Sequence, residues 1–527
     1  MIYHCEDHTC NYWDEGEKLP ERCPQCGRKL LRANEADMTG DDWTALGNTL
    51  WDAEASDKKR MVDCFRKAAY LGSAWGVCNL GICMEQGNGV EADPVQAFWL
   101  YQQAVEMGSL NAVCCLGVCY EYGIGTAPDA EKAAELYCKA AEYGSPRGQM
   151  LLAHAFHDGI GVEADAAEAV HWVRAAAYQR YGEGMHRLGV CYEYGDGVEQ
   201  NWEHAVHWFR EAAESGVSAA MTDLGYCYEK GCGVEQSWEQ AFSWYRRGAE
   251  CGYPVSMGNL GLCYKRGYGV EQNWQEAVKW YEQGAQCGNL QSMHSLAYCY
   301  ERGEGVKQNM TEAIRWYTAA AEGGNADAMH NLGWHYDYGE GVEQDMKKAI
   351  CWYERAAEQN HPAAMNSLGE CYAMGLGVPR DLETAMEWYR RAAELGEAMA
   401  DYNMGWHLEQ AGKLSEAYAH YRKAADGNDD SAWWALGRFY ENGVVVVQDG
   451  KEARCCYETG EKLGSVKCKM RLARCKLLGI GGRRAKKAGL DLCRQALELA
   501  KESSEKEDYG YEAEMNLLRR TIAENES

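Results

Sequence analysis

The residues whose spacing speaks most directly of chemistry are four N-terminal cysteines: Cys5, Cys10, Cys23 and Cys26. In Cys23-Pro24-Gln25-Cys26-Gly27 two residues separate the thiols, on a turn freed by glycine. That arrangement lets two thiolates chelate one tetrahedral metal ion. Cys5 and Cys10 form the other arm, and the 12 residues between Cys10 and Cys23 suffice for a hairpin that joins the arms. His8 is an alternative to Cys10, giving a Cys-x2-His arm. A thiolate cage of this kind takes Zn2+, and it would also take iron. A segment of roughly 30 residues has too little core to fold without the metal. Four thiolates would close the coordination sphere, so the expected Zn2+ is structural and not catalytic.

Further columns of reactive side chains recur along the chain at fixed intervals. Cys83, Cys119, Cys191, Cys227, Cys263, Cys299 and Cys371 occupy one of them. Met185, Met221, Met257, Met293, Met329 and Met365 occupy a second, and His186, His294 and His330 a third. Stacked helices hold equivalent residues roughly 8–10 Å apart, whereas a disulfide needs Cα atoms within about 7 Å. The cysteine and methionine columns are therefore expected in the core as reduced packing residues. The histidines are expected at the surface or against a partner, because they lie too far apart to share one metal ion.

These columns are positioned by a repeat. Gly-x-Gly recurs at Gly87, Gly123, Gly159, Gly195, Gly231, Gly267, Gly303, Gly339 and Gly375, always 36 residues apart. Val follows in every copy except at Thr126. Upstream lies an anchor leucine followed by Gly or Ala: Leu80, Leu116, Leu152, Leu188, Leu224, Leu260, Leu296, Leu332 and Leu368. Leu46 opens the series, and Met404, Leu436 and Leu472 continue it after a shortened turn near Ala411-Gly412-Lys413. Each unit reads as two helices. In the unit around Leu224, Ala220, Leu224 and Tyr228 share a face of the first helix at four-residue spacing. Gly225 removes a side chain where the partner helix comes close, and Gly231 and Gly233 end the helix. Ala241, Trp244, Tyr245, Gly248 and Ala249 belong to the second helix, which Gly252 ends. That last position holds Gly108, Gly144, Gly216, Gly288, Gly324 and Gly396, or Asn360 and Asn428, residues suited to positive φ. A lone hairpin cannot bury its apolar face, but stacked copies can, which predicts an α/α solenoid.

The Leu-Gly-x-x-Tyr stretch, the Gly-x-Gly-Val turn and the Ala-x-x-Trp-Tyr-x-x-Ala-Ala stretch, clear at Ala313–Ala321, together resemble the Sel-1-like repeat family, a relative of the tetratricopeptide repeat. The N-terminal cysteines resemble a zinc ribbon. The expected fold is all-α, a superhelical solenoid of about 12–13 helix pairs over residues 37–486, with a zinc-ribbon knob at 1–36 and capping helices at 487–527. The resemblance implies a scaffold or adaptor for protein partners, often in bacterial signalling or host contact. A secreted, cysteine-rich branch of the family, linked to β-lactamase activity, would show paired cysteines in every repeat, a spacing not found here.

By analogy with tetratricopeptide arrays, the first helices would line a concave groove. Positions two after the anchor give Tyr226, Tyr298, Trp334 and Trp406; positions two before give His294, His330, Tyr402 and Trp434. Tyr and Trp at exposed positions are enriched in binding hot spots, although such rings equally serve to pack neighbouring first helices. Five after the anchor runs an acidic column, Glu85, Glu121, Glu193, Glu229, Glu301, Asp337, Glu409 and Glu441, interrupted by His157, Lys265 and Ala373. An aromatic floor edged with acid suits a peptide carrying basic residues; a solvated edge is the equal alternative.

Composition narrows the function classes. The chain has 527 residues and a net charge of −27, which repels phosphate backbones. Residues 451–487 are the exception, with 12 Lys or Arg against 3 acids, and no acid occurs between Lys462 and Lys487. That basic segment, 462–487, is a candidate for self-association or for an acidic partner; nucleic acid is disfavoured by the acidic body. The sequence presents no recognisable catalytic constellation or phosphate loop, so an enzyme is not expected. No apolar run reaches the roughly 18 residues of a membrane span, and Met1–Asp7 lacks the features of a signal peptide. A cytoplasmic location is expected, with non-classical export left open.

Overall fold

The computed structural model describes residues 2–5, 13–15, 30–33, 35–51, 55–506 and 512–526. Strands β1 (Ile2–Cys5), β2 (Trp13–Glu15) and β3 (Leu30–Ala33) form an antiparallel sheet in the order β2-β1-β3. Cys5 closes β1 and pairs with Leu30 of β3. The other three expected metal ligands, Cys10, Cys23 and Cys26, lie outside the described residues. From Gly40 onward the described elements are 27 α-helices. They divide into two compact units, Met1–Asn273 and Trp274–Ser527, each a stack of helix pairs.

Polar caps and left-handed turns set the helix boundaries. Ser73, Ser109, Ser145, Asn289, Asn325 and Asp429 cap first helices, each accepting a backbone N–H three residues on. Asp93, Asp129, Asn201, Ser237, Asn309 and Asp449 do the same for second helices. At the first helix's end Gly231 has φ +73° and its N–H bonds the Cys227 carbonyl at 2.9 Å. The turns after second helices take the left-handed conformation as expected, Gly252 at +84°, Asn360 at +60° and Asn428 at +66°. Arg180 adopts φ +60° at the same place, with neither glycine nor asparagine to ease it.

The second glycine of each Gly-x-Gly does more than end a helix. A Cβ on Gly233 would lie 2.4 Å from the Trp202 carbonyl oxygen, and one on Gly161 would lie 2.0 Å from that of Ala130. Each such turn abuts the start of the preceding second helix, and only a missing side chain permits the approach.

The glycine after the anchor meets a ring. Cβ atoms on Gly117, Gly225 and Gly369 would lie 2.5, 2.6 and 2.5 Å from Tyr137, Tyr245 and Tyr389. These tyrosines belong to a second-helix column whose members Tyr101, Tyr137, Tyr245, Tyr281, Tyr317, Tyr353, Tyr389, Tyr421 and Tyr457 are at most 2% exposed. The anchors Leu188, Leu224, Leu260, Leu296 and Leu368 are fully buried. All seven cysteines of the column are buried free thiols, and five of the six column methionines are buried, with Met293 packed at the core's edge. Where the repeat is shortened, the turn contracts to Ala411–Lys413, with Gly412 at φ +75°.

A partly empty repeat and an occupied helix face

Every column tyrosine brings a hydroxyl into the interior, and most find a carboxylate. Tyr101, Tyr137, Tyr245, Tyr317, Tyr353, Tyr421 and Tyr457 donate to Glu85, Glu121, Glu229, Glu301, Asp337, Glu409 and Glu441 at 2.6–3.3 Å. Burial pushes these phenols well above their ordinary range, so they remain neutral donors. The pairing survives the shortened repeat, where Tyr421 still reaches Glu409 at 2.7 Å. The acidic column read as a groove edge is therefore largely committed to bonds within its own repeat.

Positions two before the anchor face the next repeat and not a groove. His186 Nε2 lies 2.7 Å from Asp223 Oδ2, His294 Nε2 lies 3.1 Å from Asn331 Nδ2, and Asn403 donates to Asn366 at 3.0 Å. His330 is half-buried and stacks on His361 at 5.0 Å between centroids. Burial, with His361 adding to it, pushes its pKa down to about 4. Tyr402 packs 5.6 Å from the Tyr421 ring, and burial raises its phenol to about 12. Helical geometry explains the difference, since a residue two before the anchor is turned towards the following first helix.

Positions two after the anchor are the open ones. Tyr226 and Trp406 are 43% and 41% exposed. Tyr298 and Trp334 are half-buried, with Arg302 placed 5.8 Å over Tyr298 and Tyr338 lying 4.9 Å from Trp334.

Trp434 is already occupied. The C-terminal helix Glu512–Glu526 packs back over the first helices Asp430–Asn442 and Val466–Leu478. Glu514 accepts from Trp434 Nε1 at 3.2 Å and from Arg471 Nη2 at 2.7 Å, with Arg471 Nε at 2.7 Å from its other oxygen. Arg471 and Arg474 also pair with Glu441. Arg484 donates to Asn525 at 2.7 Å. Part of the basic segment 462–487 thus neutralises internal acids and holds the chain's own last helix. Lys462, Arg483, Lys486 and Lys487 remain exposed.

In the first unit one repeat breaks the pattern. Residues 146–181 carry Ala153 in place of the glycine after the anchor, Val173 in place of the ring, and His157 in place of the carboxylate. A cleft of about 630 Å³ opens there, lined by Met150, Ala153, Ala169, Val170, Val173 and Cys191, with Arg147, His154, His157, Asp158, Arg187 and Asp196 at its edge. His157 Nε2 lies 3.2 Å from Asp196 while its Nδ1 bonds Asp158. His154 lies 3.1 Å from Asp158, and Arg187 lies 3.8 Å from Asp196. The His157 hydrogen bond holds the Asp158 carboxyl below the usual range. Its size and its mixture of apolar floor and polar rim match ordinary ligand sites. Sequence reasoning placed its site residues elsewhere. The available signal was three departures within one repeat, of which only His157 stood out alone. Among the described residues no group of three or more His, Cys, Asp or Glu is arranged to hold a metal ion, and no helix is long and apolar enough to cross a membrane.

The chain is similar to solved repeat proteins. A protective antigen of uropathogenic Escherichia coli displaying an SLR fold is 29% identical, covering 81% of this chain and 94% of its own, with a TM-score of 0.58. A Sel1 repeat protein from Oxalobacter formigenes is 31% identical over 46% of this chain and 96% of its own, with a TM-score of 0.43. No curated protein matches. The Sel1 repeat model matches eleven segments from 76–109 to 432–465, separated only by short gaps. With that match across the anchors, turns and buried tyrosines described above, the chain belongs to the Sel1 repeat family.

Proposed function

We propose that the chain is a protein-interaction scaffold whose first-helix face takes helical or extended segments of partner proteins. The carrying observation is that this face already holds a helix. Glu512–Glu526 is bound by a part-buried Trp434–Glu514–Arg471 arrangement, with Met515 and Leu518 buried beside it. A tryptophan, an arginine and small apolar pockets are the usual components of such recognition. Tyr226 and Trp406, exposed, and Tyr298 and Trp334, half-buried, lie two after their anchors where Trp434 lies two before, and would offer a partner rings on the first helices of other repeats. The committed acidic column gives a basic partner fewer free carboxylates than its sequence suggests. Exposed Lys462, Arg483, Lys486 and Lys487 would favour an acidic surface, including that of a second copy. A core of reduced, buried cysteines suits a reducing compartment, so we place the chain in the cytoplasm.

Trp334→Ala combined with Trp406→Ala is expected to abolish partner capture in pull-downs from native lysate without changing the helical circular dichroism signal. Undiminished capture would remove this reading. We further propose that Cys5, Cys10, Cys23 and Cys26 hold a structural Zn2+. Metal analysis of the purified chain should return one zinc, and Cys26→Ser should release it while the helical signal persists.

A further inference from the structure

We propose that the cleft of repeat 146–181 receives an aromatic side chain, tyrosine in preference, from a segment of a partner protein. The proposal rests on the scaffold reading and names the chemistry that one repeat would recognise. The chain itself demonstrates what fills this space. In seven repeats a phenol ring is buried beneath the anchor and its hydroxyl donates to a carboxylate of the first helix at 2.6–3.3 Å. The Tyr245 ring, for example, lies against Gly225 and faces Cys263. The same offsets in repeat 146–181 give Val173, Ala153 and Cys191, and all three line the cleft. Valine is too short to replace the ring, and the alanine methyl restores little of the lost volume. The repeat thus lacks the ring its neighbours possess, and a cleft of about 630 Å³, ample for a phenol, opens beside these buried side chains.

The rim supplies the polar half of the site. A phenol O–H entering from outside would find acceptors in Asp158 and Asp196, the carboxylates that clamp His157. Arg187, 3.8 Å from Asp196, stands where it would donate to carbonyls of the flanking peptide. An aliphatic side chain would fill the floor and leave these groups unanswered, whereas an aromatic alcohol satisfies both halves.

The test uses the full-length protein with p-cresol as the tyrosine side-chain analogue and toluene as its hydroxyl-free counterpart, followed by saturation-transfer NMR and calorimetric titration. Wild type should bind p-cresol in the millimolar range and toluene more weakly. Val173→Tyr with Ala153→Gly, which rebuilds the ring that neighbouring repeats possess, should weaken p-cresol at least about tenfold, as expected for a filled pocket, and raise the melting temperature. Asp158→Ala with Asp196→Ala removes both acceptors, leaves the floor intact and should reduce p-cresol to the level of toluene. Unchanged p-cresol binding in the filled variant overturns the proposal, as does equal binding of the two probes by wild type. The outcome is separable from the scaffold reading, which stands or falls on Trp334 and Trp406 in the other unit. A failed p-cresol titration with capture still sensitive to those tryptophans sinks the cleft alone.

Discussion

Removing the Glu514 carboxylate isolates the force that holds the C-terminal helix on the first-helix face. Its side chain is 8% exposed and that of Arg471 14% exposed, so the pair is buried on both sides. Glu514→Ala deletes a two-point contact to Arg471 and the acceptor of Trp434 Nε1. Glu441 is then left as one carboxylate for two guanidinium groups, Arg471 and Arg474. Breaking a buried pair from one side costs about 3–5 kcal/mol, because the remaining charge is stranded. Against this, burial of Met515 and Leu518 contributes about 1.5–3 kcal/mol each before the entropy of ordering the helix is subtracted. The penalty is therefore comparable to the whole docking energy. The helix should leave the face rather than tolerate a stranded arginine, since undocking lets water reach Arg471. Undocking also caps the loss, so the global unfolding midpoint should move little. Hydrogen exchange followed by mass spectrometry should show amides of 512–526 exchanging about a hundredfold faster or more, corresponding to roughly 3 kcal/mol of lost local protection. Glu512→Ala, at an exposed position, should leave exchange unchanged. If Glu514→Ala retains full protection of 512–526, the electrostatic account of docking is wrong.

Two further outcomes follow from the repeat's internal geometry. Gly233→Ala places a methyl 2.4 Å from the Trp202 carbonyl at φ +70°, whereas Gly252→Ala, at φ +84°, meets nothing within 4 Å. Urea unfolding should show about 1–2 kcal/mol lost at Gly252, from the left-handed strain alone, and at least about 3 kcal/mol at Gly233, where overpacking adds to it; equal losses would refute the inter-repeat contact. His330 is neutral in the folded chain down to about pH 4, whereas an unfolded histidine takes up its proton near 6.5. Its contribution is thus fully present above about pH 6.5 and is lost as pH falls towards 4, on the order of 3 kcal/mol in total. His330→Gln should flatten the dependence of the urea midpoint across that window, and an unaltered slope would assign the effect to other groups.

The repeat itself was legible from residues alone because each of its positions obeys a local rule. Anchor leucines at helical spacing, polar caps, and glycine or asparagine at left-handed turns need no knowledge of the neighbouring repeat. Reading the cysteine and methionine columns as core succeeded for the same reason, since periodic apolar side chains mark a buried face. The groove residues were harder to read. Tyr226 and Tyr402 look alike in sequence, yet one is open and the other packs on Tyr421. Their difference depends on which face of the first helix lies over the tyrosine of its own second helix.

Periodicity and turn chemistry along the chain therefore determined the helix pairs, their boundaries and their stacking as a Sel1 solenoid. Only the tertiary structure decided what the polar and missing side chains do. Carboxylates sixteen residues from a tyrosine become its acceptors, Glu514 reaches Trp434 from 80 residues away, and Val173, where other repeats place a ring, lines an open cleft. These are contacts between segments distant in sequence, set by how the helices pack and not by any local preference for being helical.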